Sequence, residues 1–155
     1  MLELTIGNKN YKIEYTIEAS LHDECIEKVT SLMINLSSTE DAKDVKEVIS
    51  SISDVPKTTL TMFYAGLLEH HGEDGDGSVL SEKDAKKLIK QYFAENKENG
   101  TDNFYDLMGI LVEQMGNDGF FKQIGLQQAV QQTKEQKRQQ DRKRKQTTVT
   151  SLGEK

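Results

Sequence analysis

The first seventeen residues alternate between apolar and polar. Leu2, Leu4 and Ile6 fall on one face of an extended segment, and Tyr11, Ile13, Tyr15 and Ile17 do the same for a second. Between them lies "GNKN", made of residues that tolerate turn conformations, so the pattern predicts a β-hairpin. Two strands alone are marginal in water. The hairpin must pack on helices or pair with another copy.

After Ser20 the period lengthens. Leu21, Cys25, Val29, Leu32, Met33 and Leu36 approximate one helical stripe, with Ile26 beside it. The polar break "SSTED" follows, where Ser38 and Asp41 can form a capping box for a helix presenting Ala42, Val45, Val48, Ile49 and Ile52. Pro56 is placed to start the next helix, since its missing N–H costs nothing in the first turn. There Leu60, Phe63, Tyr64, Leu67, Leu68 and His71 recur at spacings of three and four, and Gly72 is positioned to end the run with a left-handed residue.

Two further helices are the clearest in the chain. Ala85, Leu88, Ile89, Tyr92 and Phe93 make one face, behind a Ser81 cap with Asp84 three residues on. Phe104, Leu107, Met108, Leu111, Val112 and Met115 make the other, with Thr101 or Asp102 as cap. Beyond Gly125 the apolar pattern dissolves into a Gln-rich, basic stretch, a frayed helix to about Arg144 and then disorder. The expected fold is mainly α with a short N-terminal β-hairpin (α+β), about five helices in one small domain. Residues 1–126 form that domain, and 127–155 are its tail.

Composition sharpens this picture. Apolar residues make up 35% of the 155 and charged ones 30%, with no Trp, so the core must rest on Leu, Ile, Val and Met. The net charge of −6 hides an asymmetry. Between Lys134 and Lys145 stand seven Lys or Arg against Glu135 and Asp141, about +5; the remainder is then about −11, since −11 and +5 give −6. Such an acidic body repels nucleic acid and membrane surfaces and favours basic partners. The lone cysteine, Cys25, excludes an internal disulfide. "MLELTIGNKNYKIEY" has charges where a signal peptide needs an apolar run, and no stretch approaches the ~20 apolar residues of a membrane span.

The stretch "HHGEDGDGSVLSEKD", residues 70–84, invites comparison with a calcium loop. With Gly77 at the obligatory glycine, Asp76 takes the fifth position, Asp74 the third and Val79 the apolar eighth. The ends fail: Gly72 stands where a carboxylate is needed, and Lys83 where a glutamate should clamp the ion. The plainer reading is an acidic turn launching a helix, with Asp74 and Asp76 as weak metal candidates only.

Other constellations are poorer. His70 and His71 are adjacent and diverge by about 100° on a helix, so they cannot share one metal as an i, i+4 pair would. Their expected role is at a helix end, bonding terminal carbonyls. Cys25 has His22, Asp23, Glu24 and Glu27 around it, mostly the wrong sign to activate a thiol. No phosphate loop, nucleophile elbow or dinucleotide fingerprint is present, and neither an enzyme activity nor a cofactor is expected. The basic residues Arg138, Arg142, Lys143, Arg144 and Lys145 have the charge to touch phosphates but no interleaved aromatics to stack on bases, so nucleic acid is not the expected partner.

Met108 and Met115 share a face with aliphatic neighbours, and Phe120 and Phe121 follow closely. Such a stripe more often fills a core; flexible Met-rich surfaces also bind partner helices adaptably.

The phrases "LTIGNKNYKIEY", "TLTMFYAGLLEHHG", "SEKDAKKLIKQYFAEN" and "FYDLMGILVEQMGNDGFFKQIGL", in this order over residues 1–126, resemble tail assembly chaperones of long-tailed phages and prophages of Gram-positive bacteria. The resemblance rests on overall pattern rather than on catalytic motifs, and "EDGDG" departs from it as a variable loop. It implies a non-enzymatic protein of the host cytoplasm that coats the tape measure protein, keeps it soluble, helps recruit tail tube subunits and is absent from the finished virion. It also implies a minor, longer form made by ribosomal frameshifting; the closing "SLGEK" is compatible with a slippery purine run. Self-association into dimers, rings or spirals is expected from an exposed hairpin edge. A chaperone of helices needs an apolar groove with a charged rim. The sequence places that groove at Met108, Leu111, Met115, Phe120 and Phe121, rimmed by Glu113 and Asp118. The rival reading is a regulatory module using the degenerate, EF-hand-like acidic loop.

Overall fold

The computed structural model describes residues 1–38 and 54–153, with backbone alone for 34–38, 127–131, 133, 134 and 147–153. The chain is mostly helical with an N-terminal two-stranded antiparallel hairpin. Strands β1 (Leu2–Ile6) and β2 (Lys9–Ile13) pair with Leu2 opposite Ile13 and Leu4 opposite Tyr11. Gly7 makes the turn at φ +65°, a conformation that side chains disfavour. Seven helices follow among the described residues: α1 (Ile17–Ser20), α2 (Asp23–Ser38), α3 (Val55–His71), α4 (Glu82–Glu95), α5 (Phe104–Asn117), α6 (Phe120–Gln123) and α7 (Leu126–Gly153). The Ser38–Asp41 cap and the helix carrying Ala42, Val45, Val48, Ile49 and Ile52 lie outside the described residues.

Helix α3 is the hub. It touches β2, α1, α2, α4 and α5, so it is buried nearly all round rather than along one stripe. Thr58, Thr59 and Thr61 are therefore buried beside Met62, Phe63 and Leu67, while Leu60, Tyr64 and Leu68, expected inside, are only half-buried. The threonines enter the core because their hydroxyls find partners. Thr59 Oγ1 donates to the Val55 carbonyl at 2.7 Å, the back-bond open to a helical threonine.

The hairpin docks on α3 through backbone. Glu14 N–H donates to the Gly66 carbonyl at 3.0 Å, and Tyr15 O–H donates to the Met62 carbonyl at 2.9 Å. A Cβ at Gly66 would stand 2.6 Å from Ile13 Cγ2, so the strand can lie this close only against glycine. At the other end Gly7 N–H donates to the Glu95 carboxylate of α4 at 2.9 Å. Ile6, Ile13 and Tyr15 are buried in the result.

Several sequence expectations change here. Alternation carried the second strand to Ile17, but β2 stops at Ile13; Tyr15 is buried, while Ile17 opens α1 and is 64% exposed. Leu21, expected on the inner stripe of α2, precedes that helix and is 70% exposed; Cys25, Val29 and Leu32 fill the core as expected. Gly72 does end α3, but in extended backbone (φ −77°, ψ −163°), not left-handed. Its glycine is required by close approach, since a Cβ would lie 2.5 Å from the Leu68 carbonyl oxygen.

Caps divide the same way. Ser81 caps α4 by accepting from Asp84 N–H, as the sequence indicates, and Asp84 reaches back to Leu80 N–H at 3.0 Å. For α5 the cap is Asn103, accepting from Asp106 N–H at 2.9 Å, in place of Thr101 or Asp102. Asn serves as well as Asp at this position, so composition alone does not choose among neighbours. Helix α7 runs to Gly153, further than Arg144. Its Gln, Lys and Arg are good helix formers, and its N-terminal end rests on α2 and α6.

Candidate functional site

The acidic loop between α3 and α4 is a fastening. Asp76 Oδ1 accepts from Ser78 N–H at 2.9 Å and from Ser78 Oγ at 2.6 Å. Its Oδ2 accepts from Lys9 Nζ at 2.9 Å and from His71 Nδ1 at 2.9 Å. The Ser78 hydroxyl foremost, with Lys9, the Ser78 N–H and His71, holds this carboxyl well below the usual aspartate range, against a desolvation that pushes the other way. All four contacts compete with any cation for the same two oxygens. Among the described residues, no group of three or more His, Cys, Asp or Glu is placed to hold a metal ion.

His71 completes the fastening. Its Nε2 accepts the Lys12 N–H of β2 at 2.9 Å, so that nitrogen carries no hydrogen and Nδ1 is the donor to Asp76. His70 instead reaches Glu14, at 2.7 Å from Nε2. The expectation that these imidazoles bond terminal carbonyls is thus corrected. The hairpin passes close to the end of α3 and offers stronger partners, a strand N–H and a carboxylate. His22 Nδ1 accepts the Cys25 N–H at 3.1 Å, near the start of α2. Cys25 itself is buried, and burial pushes its thiol up to about 12.

Beside this loop lies an open groove of about 440 Å³. Tyr64 and Leu68, one turn apart on α3, line it together with Val79 and Leu80 from the loop. Val79 is buried and forms floor, whereas Leu80 is 60% exposed. Glu18 of α1 and Glu73 and Asp74 of the loop bring three carboxylates to the same lining, which includes no Lys or Arg. Tyr64 O–H donates to the Leu80 carbonyl at 3.2 Å, bracing the loop over the helix. Burial raises the Tyr64 hydroxyl, and the nearby Glu82 and Asp84 charges raise it further. Helix α1, which supplies Glu18, begins with the exposed Ile17 and is followed by the exposed Leu21.

The groove foreseen at Met108, Leu111, Met115, Phe120 and Phe121 is not what the fold presents. The first four are buried in the chain's own core, and Phe121 packs half-buried against it. Phe120 packs tilted against Tyr15, ring centroids 5.4 Å apart, and the Tyr15 N–H donates to Asp118 at 2.9 Å. Asp118 is therefore tied inward rather than standing on a rim, while Glu113 is exposed. The physical reason is packing within the chain: α5 lies along α3, and Tyr15, just after β2, covers Phe120 at the C-terminal end of α5.

Arg138, Arg142, Lys143, Arg144 and Lys145 all lie exposed on α7, and Arg138 and Arg142 share one face with Glu135 and Gln139. Tyr64, Leu68, Val79 and Leu80 were missed as a site. The signal for them was an excess: α3 has more apolar positions than one stripe can hold.

No helix among the described residues is long and apolar enough to cross a membrane. No protein-family model matches the chain, nor does any curated protein or solved structure.

Proposed function

We propose that this chain works by covering apolar helical stretches of another protein, as a tail assembly chaperone for a phage tape measure protein, and carries out no chemistry of its own. In this reading it acts in the host cytoplasm, keeps the tape measure protein soluble, helps bring tail tube subunits to it, and is left out of the finished virion. A frameshifted longer form and further copies of the chain are its other partners.

The observation that supports this reading is the placement of Ile17, Leu21 and Leu80. They are 64%, 70% and 60% exposed; Leu80 lines an acid-bordered groove, and Ile17 and Leu21 are near in sequence to Glu18, which lines it too. A large aliphatic side chain left in water forgoes about 1.5–3 kcal/mol of burial, and Ile17 opens the short helix α1 that Leu21 caps at its C-terminal end. Apolar surface of this kind, bordered by charge, is what an amphipathic client helix requires. The sequence resemblance over residues 1–126 names the client.

Co-expression provides the test. The tape measure protein encoded in the same genome should move from pellet to supernatant when the full chain is produced with it, and should co-purify with a tag on the chain. A tape measure protein equally insoluble with and without the chain would refute the proposal.

A further inference from the structure

We infer that the groove formed by Tyr64, Leu68, Val79 and Leu80 selects client helices that carry lysine or arginine beside their aliphatic anchors. This rests on the chaperone reading and specifies which segments of the client are taken.

The lining joins two chemistries. Its apolar part is continuous across an element boundary, since Tyr64 and Leu68 come from α3 and Val79 and Leu80 from the loop. Its polar part is of one sign. Glu18 comes from α1 and Glu73 and Asp74 from the loop, so carboxylates stand on two separate walls. Glu82 and Asp84 add to the negative potential at the Tyr64 hydroxyl. Nothing positive in the lining offsets them.

An apolar helix with glutamates at its edges would be repelled from this site, and one with neutral edges would leave the carboxylates to water. Lysine and arginine fit on both counts. Their aliphatic stems extend the apolar contact, and their charged heads reach carboxylates at the rim. The volume of about 440 Å³ suits side chains projecting from one helix face. Because the rim is exposed, the charge contribution is screened by salt while the aliphatic one persists. The acidic bias of the body as a whole, about −11 outside Lys134–Lys145, steers the same class of partner.

The test is a fluorescence anisotropy titration with two labelled helical peptides that share one leucine stripe and differ only in flanking lysines or glutamates. The full-length chain should bind the lysine peptide at least about tenfold more tightly than the glutamate peptide, and the margin should shrink at high salt. Leu80→Asp should weaken the lysine peptide by about tenfold. Glu73→Lys with Asp74→Lys should reverse the preference. Both variants change exposed positions, and an unaltered melting temperature verifies their fold. Equal affinity for the two peptides, or indifference to both variants, overturns the inference. It is also overturned if a peptide of residues 134–145 competes better than the lysine peptide, since the groove would then seat the chain's own tail.

The co-expression assay separates the two claims. If the wild-type chain solubilises the tape measure protein and both groove variants do so equally well, the groove assignment fails and the chaperone reading stands. If the wild-type chain selects the lysine peptide but leaves the tape measure protein insoluble, the chaperone reading fails and the client assignment goes with it.

Discussion

His71 Nε2 lies 2.9 Å from the backbone nitrogen of Lys12, and that hydrogen bond fixes the imidazole in the tautomer with its proton on Nδ1, 2.9 Å from Asp76. One buried side chain thereby joins the central helix, the hairpin and the acidic loop. Replacing it removes an acceptor from a strand N–H and a donor from a carboxylate at once. His71→Ala should cost about 1–3 kcal/mol in urea-monitored unfolding, the penalty for leaving part-buried polar groups without partners. Imidazole nitrogen shifts in the wild type should identify an Nδ1–H tautomer. An Nε2–H tautomer, or a variant as stable as wild type, would remove this fastening from the account.

Two glycines on helices should respond to alanine in opposite directions. At Gly66 the added Cβ meets Ile13 Cγ2 at 2.6 Å and the Tyr15 ring at 3.1 Å, so overpacking of about 1–3 kcal/mol outweighs the helix propensity gained. At Gly109, exposed in the middle of α5, nothing lies within 4 Å, and alanine should stabilise by up to about 1 kcal/mol. Melting temperatures of the two variants check both signs. If both rose, the hairpin would not sit as closely on α3 as described.

Alkaline conditions should weaken the fold before ordinary lysine chemistry begins. Burial pushes the Cys25 thiol up to about 12, and burial, followed by the charges of Cys25 and Asp118, raises the Tyr15 hydroxyl well above its usual value. The folded chain therefore keeps protons that the unfolded chain gives up from about pH 8.5 for the thiol and about pH 10 for the phenol. Stability is intact below pH 8.5 and falls as pH rises, because deprotonation favours the unfolded state. A thiol reagent at pH 8 should leave Cys25 unmodified in the native protein and label it in denaturant. Rapid native labelling would contradict its burial.

Asp76 should behave in the opposite sense. Its carboxyl is held below the usual range chiefly by the Ser78 hydroxyl, with Lys9 and His71 assisting. Its contribution is present above the ordinary aspartate value of about 3.9 and is lost only as pH falls through the lower folded value. Carboxyl carbon shifts followed through acid titration should show it protonating below the ordinary aspartate range. Asp76→Asn should loosen the hairpin, read as faster amide exchange at Lys12. An ordinary titration midpoint would remove Asp76 from the fastening.

Periodicity made much of the fold legible. The hairpin follows from Leu2, Leu4, Ile6 and Tyr11, Ile13; the inner faces of α4 and α5 follow from Ala85, Ile89 and Tyr92 and from Leu107, Leu111 and Met115. What periodicity misplaced lies at junctions. Ile17 and Leu21 continue the rhythm of their neighbours, but Ile17 opens and Leu21 follows a four-residue helix that neither alternation nor helical period marks. The site was misplaced for a related reason. The Met108–Phe121 stripe has the composition of an adaptable surface, and its packing on α3, with Tyr15 over Phe120, makes it core. Conversely, Tyr64 and Leu68 read as core, yet they are only half-buried and line the groove beside the loop. In the loop, glycine and aspartate spacing imitated a metal site, whereas the partners of Asp76 come from residues as far away as Lys9.

The function proposed for this chain is to hold apolar helices of a tape measure protein in solution. The most direct measurement dilutes the denatured tape measure protein of the same genome into buffer with and without the full chain, then quantifies what remains in the supernatant after centrifugation. A soluble complex should form in proportion to the chain added, with slowed amide exchange at Leu80 and along Ile17–Leu21. A pellet of the same size in both tubes, with exchange at those residues unchanged, would contradict it.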